Sequence, residues 1–260
     1  MHYVISDIHG CYSEFLQMLN LIEFKDEDTL YILGDVIDRG KEPIKILQYI
    51  KNKSNIKLIL GNHEVMMLDF YKEKEKNANS RSYYERKQDW EQNGGKITIE
   101  QLSKLSKDEF ISTINYIKNL KYFEIVEVNK EMYLLVHAGI YPYAENNIKK
   151  LLESQTENDL IWIRNEFFTS EYKYPFKIIF GHTPVPNIYK KLYIYDLMLK
   201  RLSKKNIIEK YEKNKIIYFN NKIGIDGGCV YGLYLTCLRL EDGKEFFVLN
   251  NESEKKINLN

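Results

Sequence analysis

The chain has 260 residues, enough for one large domain with a sizeable core, and its 44% hydrophobic and 29% charged residues are the balance of a soluble globular protein. A formal net charge of +1 gives no overall field to gather nucleic acid or an anionic membrane, so any basic site must be local. The three cysteines, Cys11, Cys229 and Cys237, are odd in number and lack metal-type spacing, which argues against a thiolate zinc site or a secreted disulfide framework and for reduced thiols.

Met1-His2-Tyr3-Val4-Ile5 runs straight into a polar motif without a basic-then-apolar leader, and no apolar run approaches the roughly 18 residues of a membrane span. A cytoplasmic location is the expectation. Tyr3-Val4-Ile5 is β-prone, and Phe15, Leu16, Leu19 and Ile22 then recur at helical spacing. Thr29 to Leu33 reads as a strand, Pro43 suits the first turn of a helix carrying Ile44, Leu47 and Ile50, and Ile56 to Leu60 reads as a third strand. Strands separated by helices of this length indicate βαβ units in an α/β sheet.

From Glu64 to about residue 130 the pattern turns helical and charged, as an insertion into the α/β frame. Lys72-Glu73-Lys74-Glu75-Lys76 reads as a solvated face, Gly94-Gly95 as a turn, and Ser106-Lys107-Asp108-Glu109 as a capping box ahead of Phe110, Ile114 and Ile117. Strand signals return at Met132 to Val136, Lys177 to Phe180, Ile216 to Phe219, Ile223 to Ile225, Leu233 to Leu240 and Glu245 to Leu249, with Asp242-Gly243 turning between the last two. A single domain over 1–250 is expected, with a Lys/Tyr-rich, partly helical insertion at about 186–221 and a polar tail at 251–260.

Polar clusters fall where these strands end. Asp7-Ile8-His9-Gly10, Gly34-Asp35-Val36-Ile37-Asp38-Arg39-Gly40 and Gly61-Asn62-His63-Glu64 follow the first three strands, and His137-Ala138-Gly139 and Gly181-His182-Thr183-Pro184 follow two later ones. Open α/β sheets bind ligands beyond the carboxyl ends of their strands, so five clusters placed alike can converge on one site. Four of the five histidines lie in these clusters. Carboxylate, amide and imidazole without thiolate form a mixed oxygen and nitrogen set for a divalent ion, with Mn²⁺, Fe and Zn²⁺ all open.

The five motifs, in this order, resemble the metallophosphoesterase superfamily, and within it the bacterial phosphoprotein phosphatase branch. Trp162-Ile163-Arg164, Asn93-Gly94-Gly95 and Ile225-Asp226-Gly227-Gly228-Cys229 also look like the bacterial members. The resemblance implies an α/β fold of two packed mixed β-sheets flanked by helices. It implies two divalent ions, with manganese placed first. Asp7 and His9 would hold one ion, Asn62, His137 and His182 the other, and Asp35 would bridge them. The last motif carries a single histidine, as the phosphoprotein phosphatase pattern expects.

Such a centre acidifies a bridging water, neutralises phosphoryl oxygens and aligns the resulting hydroxide for in-line attack. Arg39 and Arg164 suit the remaining oxygens through paired guanidinium donors. The resemblance makes His63 the general acid, with Asp38 orienting it and raising its pKa. The substrate expected first is a phosphomonoester of serine or threonine in a protein, with phosphotyrosine open. A symmetrical dinucleoside tetraphosphate hydrolase or a nucleotide-cap hydrolase is the alternative. Asp38 and Glu64 tilt the reading toward the protein phosphatases, because the tetraphosphatase relatives often lack the equivalent aspartate and carry Gly-Asn-His-Asp. The expected partners are a phosphoprotein or small phosphoester, with no membrane and no nucleic acid beyond a nucleotide substrate. A non-catalytic binding module is disfavoured because no expected ligand is missing.

Overall fold

Period-two alternation along the strands sorts their apolar side chains into two sets. In a computed structural model, which describes residues 1–198 and 215–250, Val4 of β1 (His2–Ile5) and Tyr31 of β2 (Thr29–Ile32) face one apolar cluster, while Tyr3, Ile5, Leu30 and Ile32 face another. Tyr133 and Leu135 of β5 (Glu131–Val136), with Ile179 of β6 (Lys177–Phe180), join the first cluster. Leu134, Val136, Ile178 and Phe180 face a third. The shared cluster is the filling between two sheets, and the other two are the faces that the helices cover.

The first sheet has the order β10-β9-β1-β2-β3, with β3 at Ile56–Leu58, β9 at Tyr234–Arg239 and β10 at Glu245–Leu249. Its β1, β2 and β3 run parallel, and β9 pairs antiparallel with both β1 and β10. The second has the order β4-β5-β6-β8-β7, with β4 at Phe123–Val128, β7 at Ile217–Phe219 and β8 at Lys222–Gly224. Two mixed five-stranded sheets flanked by helices result, as the resemblance implied.

Helices α1 (Tyr12–Leu21) and α2 (Pro43–Ile50) connect the parallel strands, with Pro43 in the first turn of α2. Between β3 and β4 lie α3 (Asn62–Asn77), α4 (Arg81–Gln92), α5 (Lys96–Leu102) and α6 (Lys107–Lys118). The capping box at Ser106 and Glu109 is formed, and Ile114 and Ile117 are buried. Between β5 and β6 come the short helices α7 (Ile148–Glu153), α8 (Glu157–Trp162) and α9 (Asn165–Thr169), and α10 (Val185–Met198) follows β6.

The expected helical stretch to about residue 130 in fact ends in a strand. β4 pairs antiparallel with β5 from Phe123↔Val136 to Val128↔Glu131. Asn129 and Lys130 between them both have positive φ, 53° and 68°, the twist of a two-residue type I′ turn. Asn-Lys lacks the glycine that signals such a turn, so the strand is hidden at the edge of a charged helical segment. The insertion expected at 186–221 opens with α10 and closes with β7. Residues 199–214 and the polar tail at 251–260 lie outside the described residues.

Candidate metal centre

The parallel strands bring their carboxyl ends to one edge, and main-chain hydrogen bonds lace the first two motif loops together. Asp7 N–H donates to Gly34 O, His9 N–H to Asp35 O, Gly10 N–H to Val36 O and Gly40 N–H to His9 O, at 3.3, 2.9, 3.0 and 3.0 Å. The loops are strained where they do this. Of the eleven non-glycine residues with positive φ among those described, six are Asp7, His9, Asp35, Asp38, Arg39 and His182. Left-handed backbone at such residues costs of order 1–3 kcal/mol each and persists only where surrounding structure enforces it. Gly34, at φ +82°, is a position where no other residue fits, because a Cβ would stand 2.5 Å from the Gly61 backbone.

Three of the four motif histidines are fixed by an outer nitrogen. His9 Nδ1 lies 2.8 Å from Ile37 O and His137 Nδ1 2.6 Å from Leu33 O, and a carbonyl can only accept, so both carry the proton on Nδ1 and turn a bare Nε2 inward. His63 Nδ1 lies 2.6 Å from Asp38 Oδ2. Burial drives His9, His63 and His182 well below the usual histidine range and His137 to about 3, so all four rings are neutral. Two convergent groups form, His9 with Asp35 and His63, and Asp35 with His137 and His182. Asp35 belongs to both, with its Oδ2 3.5 Å from His9 Nε2 and 3.5 Å from His137 Nε2.

Asn62 completes the second group. Its Oδ1 lies 2.9 Å from His137 Nε2 and 2.9 Å from His182 Nδ1, and the two nitrogens are 3.2 Å apart. Two acceptor atoms and a nitrogen that can carry at most one proton are thus crowded together, and His182 Nε2 is buried without a partner. On the other side, Arg39 Nη1 donates to His9 Nε2 at 2.7 Å and Nη2 to His63 Nε2 at 2.8 Å, so positive charge already sits on those lone pairs. Donor chemistry, neutral rings and shared carboxylate all fit a pair of divalent cations.

Asp7 stands beside these groups and outside the tightest clusters. Its Oδ2 accepts the His182 N–H at 2.9 Å, and burial with Asp226 nearby raises its pKa well above the usual carboxylate range. Asp35 is raised too, by burial and then by Asp7 and Glu64. Arg164 caps α9 and faces the centre from the cleft wall. All ten residues singled out in the sequence therefore lie in one region, although His63, expected as an acid, stands among the convergent donors beside His9.

Asp38 departs from expectation in one respect. It orients His63, but burial outweighs it, so His63 is lowered rather than raised, and Asp38 itself is pushed up to about 7. Trp90 Nε1 donates to Asp38 Oδ2 at 2.7 Å and Thr98 Oγ1 to Oδ1 at 2.5 Å. Sequence reasoning missed both residues. Trp90 has a faint signal in lying just before Asn93-Gly94-Gly95, and Thr98 has none. Glu64 accepts from the backbone N–H groups of Asp35, Val36 and Gly61 at 2.8, 2.9 and 3.0 Å, bracing two motif loops from beneath.

Above the centre opens a cleft of about 490 Å³, lined by Arg39, Arg164, Trp162, Tyr231 and the near face of α10 among others. The calcineurin-like phosphoesterase family matches residues 3–232 of this sequence. The chain belongs to that family. Its members are metal-dependent phosphoester hydrolases, and the described helices include none long and apolar enough to cross a membrane.

Among curated relatives, this calcineurin-like phosphoesterase is 53% identical over 72 residues to the symmetrical bis(5'-nucleosyl)-tetraphosphatase of Wigglesworthia glossinidia brevipalpis, covering 27% of this chain and 26% of that one. It is 29% identical over 160 residues to the enzyme of that name from Buchnera aphidicola of Acyrthosiphon pisum, 61% of this chain and 51% of that one. The chain thus spans about a quarter to a half of these relatives. A longer alignment, at 25% identity, reaches 97% of this chain and 99% of the same-named protein of Buchnera aphidicola of Baizongia pistaciae. Among solved structures, a candidate diadenosine tetraphosphatase superposes with a TM-score of 0.60 at 20% identity, covering 95% of this chain and 92% of that one. A serine/threonine phosphatase of Saccharomyces cerevisiae gives 0.55 at 14%, covering 95% and 78%. At these identities the superpositions speak for the fold alone.

Proposed function

We propose that the chain hydrolyses symmetrical bis(5'-nucleosyl) tetraphosphates at the centre of the phosphate chain, releasing two nucleoside diphosphates. The observation that carries this reading is the alignment with the Buchnera tetraphosphatase, which runs nearly end to end through both proteins. The expected preference for phosphoproteins rests on Asp38 and Glu64. Both are fully buried and line no part of the cleft, so they report how the centre is braced and not what enters it.

In this reading Asp7, His9, Asp35, Asn62, His137 and His182 would hold two divalent ions, manganese first among the candidates. Two such ions would supply Lewis acidity toward phosphoryl oxygens and a lowered pKa for water. Arg39 and Arg164 donate to the oxygens that gain charge as the bond breaks, from fixed positions that need no reorganisation. The Asp38–His63 pair holds a proton at Nδ1 and turns Nε2 to the reacting centre. A nucleoside diphosphate leaves as a stable anion, so it makes a smaller demand for a proton than a serine alkoxide does.

The test is turnover by metal-stripped protein re-supplied with Mn²⁺, offered diadenosine tetraphosphate and a phosphothreonine peptide, with Asp35→Asn as control. ADP as sole nucleotide product, lost in the variant, is the expected result. Metal-dependent phosphate release from the peptide with the dinucleotide untouched would return the assignment to the protein phosphatases.

A further inference from the structure

Helix α10 is divided lengthwise into two faces. Val185, Ile188 and Tyr189 are buried in the cluster beneath, with Leu192 packed against it, at i, i+3, i+4 and i+7. Asn187, Lys190, Lys191 and Ile194 repeat the same spacing on the other side, and all four line the cleft. Lys191 Nζ donates to Asn165 Oδ1 at 2.7 Å, which draws it toward the segment that carries Arg164. Like charge is close by: burial and then Arg164 lower the Lys191 pKa, against a smaller opposing pull from Glu166. Among the described residues, no carboxylate forms an ion pair with Lys190, Lys191 or Arg164. Glu166 acts on Lys191, and Asp35 and Asp7 act on Arg164, without pairing with them, and cations so gathered on a concave wall suit an anion.

We infer that the Lys190–Lys191 face of α10 is a second anion subsite, which grips the phosphate next to the scissile one and selects a polyphosphate chain over an isolated phosphomonoester. The inference rests on the tetraphosphatase reading of the site. One phosphoryl group is already provided for by the candidate metal ligands, Arg39 and Arg164, so two further lysines have no function toward a monoester. A chain of four phosphates carries its extra charge beyond the reacting group, along the same cleft. Lysine suits such contacts as a mobile point charge that follows a flexible chain.

The experiment is calorimetric binding of ADP and of AMP to the Mn²⁺-loaded protein with excess free Mn²⁺, for the wild type, Lys190→Gln/Lys191→Gln and Lys190→Arg/Lys191→Arg. The two nucleotides differ by one phosphate, so their affinity ratio isolates the subsite. The wild type should prefer ADP by about 10-fold or more, the glutamine variant should reduce that ratio to near unity, and the arginine variant should keep it. A ratio unchanged by the glutamine substitutions, or absent from the wild type, overturns the subsite. Retention by the arginine variant distinguishes lost charge from lost folding. Should diadenosine tetraphosphate prove inert while the lysine-dependent ADP preference holds, the proposed function fails and the subsite stands. Should the dinucleotide be cleaved while the ratio is independent of the lysines, the function stands and the subsite fails.

Discussion

Asp38 Oδ2 lies 2.6 Å from His63 Nδ1 and 2.7 Å from Trp90 Nε1, so one buried carboxylate oxygen serves a candidate catalytic imidazole and an indole of α4 at once. Thr98 of α5 fills the second oxygen. Helices that sequence patterning marks only as an insertion thereby become the clamp that sets the tautomer of His63.

Asp38→Asn replaces one acceptor oxygen by an N–H group facing existing donors. The expected loss in kcat is of order 10²–10⁴-fold on an alkyl phosphate, the range for a positioned proton-transfer group. On diadenosine tetraphosphate the loss should be smaller, because its leaving group needs less protonation. Equal losses on both substrates in steady-state assays would contradict a proton-transfer role for His63.

Glu64→Gln leaves at least one of the backbone N–H groups of Asp35, Val36 and Gly61 facing another donor. Stability should fall by about 1–3 kcal/mol, seen as a lower urea midpoint at unchanged slope. An unchanged midpoint would mean that the loops are held by the main-chain lacing alone.

Metal binding should release protons from carboxyl groups and not from imidazoles. The four rings are already neutral, whereas burial raises Asp7 and Asp35 well above 3.8, so these are the groups a cation must deprotonate. A carboxyl with a raised folded pKa holds its proton below that value and has lost it above. Affinity for Mn²⁺ should therefore weaken as pH falls through the raised range of these carboxyls, above that of an ordinary aspartate, and the protons released per ion should rise as it does. Calorimetry in buffers of different ionisation enthalpy measures the release, and Asp35→Asn should diminish it. A release unaffected by Asp35→Asn would point to another source.

Tyr231 is 61% exposed on the cleft wall, in a short 3₁₀ turn (Cys229–Tyr231) flanked by Gly228 and Gly232 in left-handed conformation, with Arg39 5.6 Å from its ring. If the cleft takes a dinucleoside tetraphosphate as proposed, an aromatic face on its wall suits a base, and stacking is worth about 1–3 kcal/mol per base. Tyr231→Ala should raise KM for diadenosine tetraphosphate about 10-fold and leave KM for a small aryl phosphate within about 3-fold. A parallel rise in both would assign Tyr231 to phosphate positioning through Arg39.

The candidate ligand types, their order and their places at strand ends were legible in the sequence, because short-range rules encode them. Alternation marks β1, β2 and β5, and Pro43 marks the start of α2. Four histidines in five polar clusters could be gathered from the rule that such sheets bind beyond the carboxyl ends of their strands. The three cysteines read as reduced thiols are free and buried. Only the tertiary structure decided which lone pair His9, His63 and His137 present, because that depends on an outer carbonyl or carboxylate from another element. It also decided the brace of Asp38 by Trp90 and Thr98, partners 52 and 60 residues distant. The same holds for α10, where one face is apolar and buried and the other cationic and open. A sequence pattern can divide such a helix into faces, but only packing against a particular sheet determines which of them meets the site.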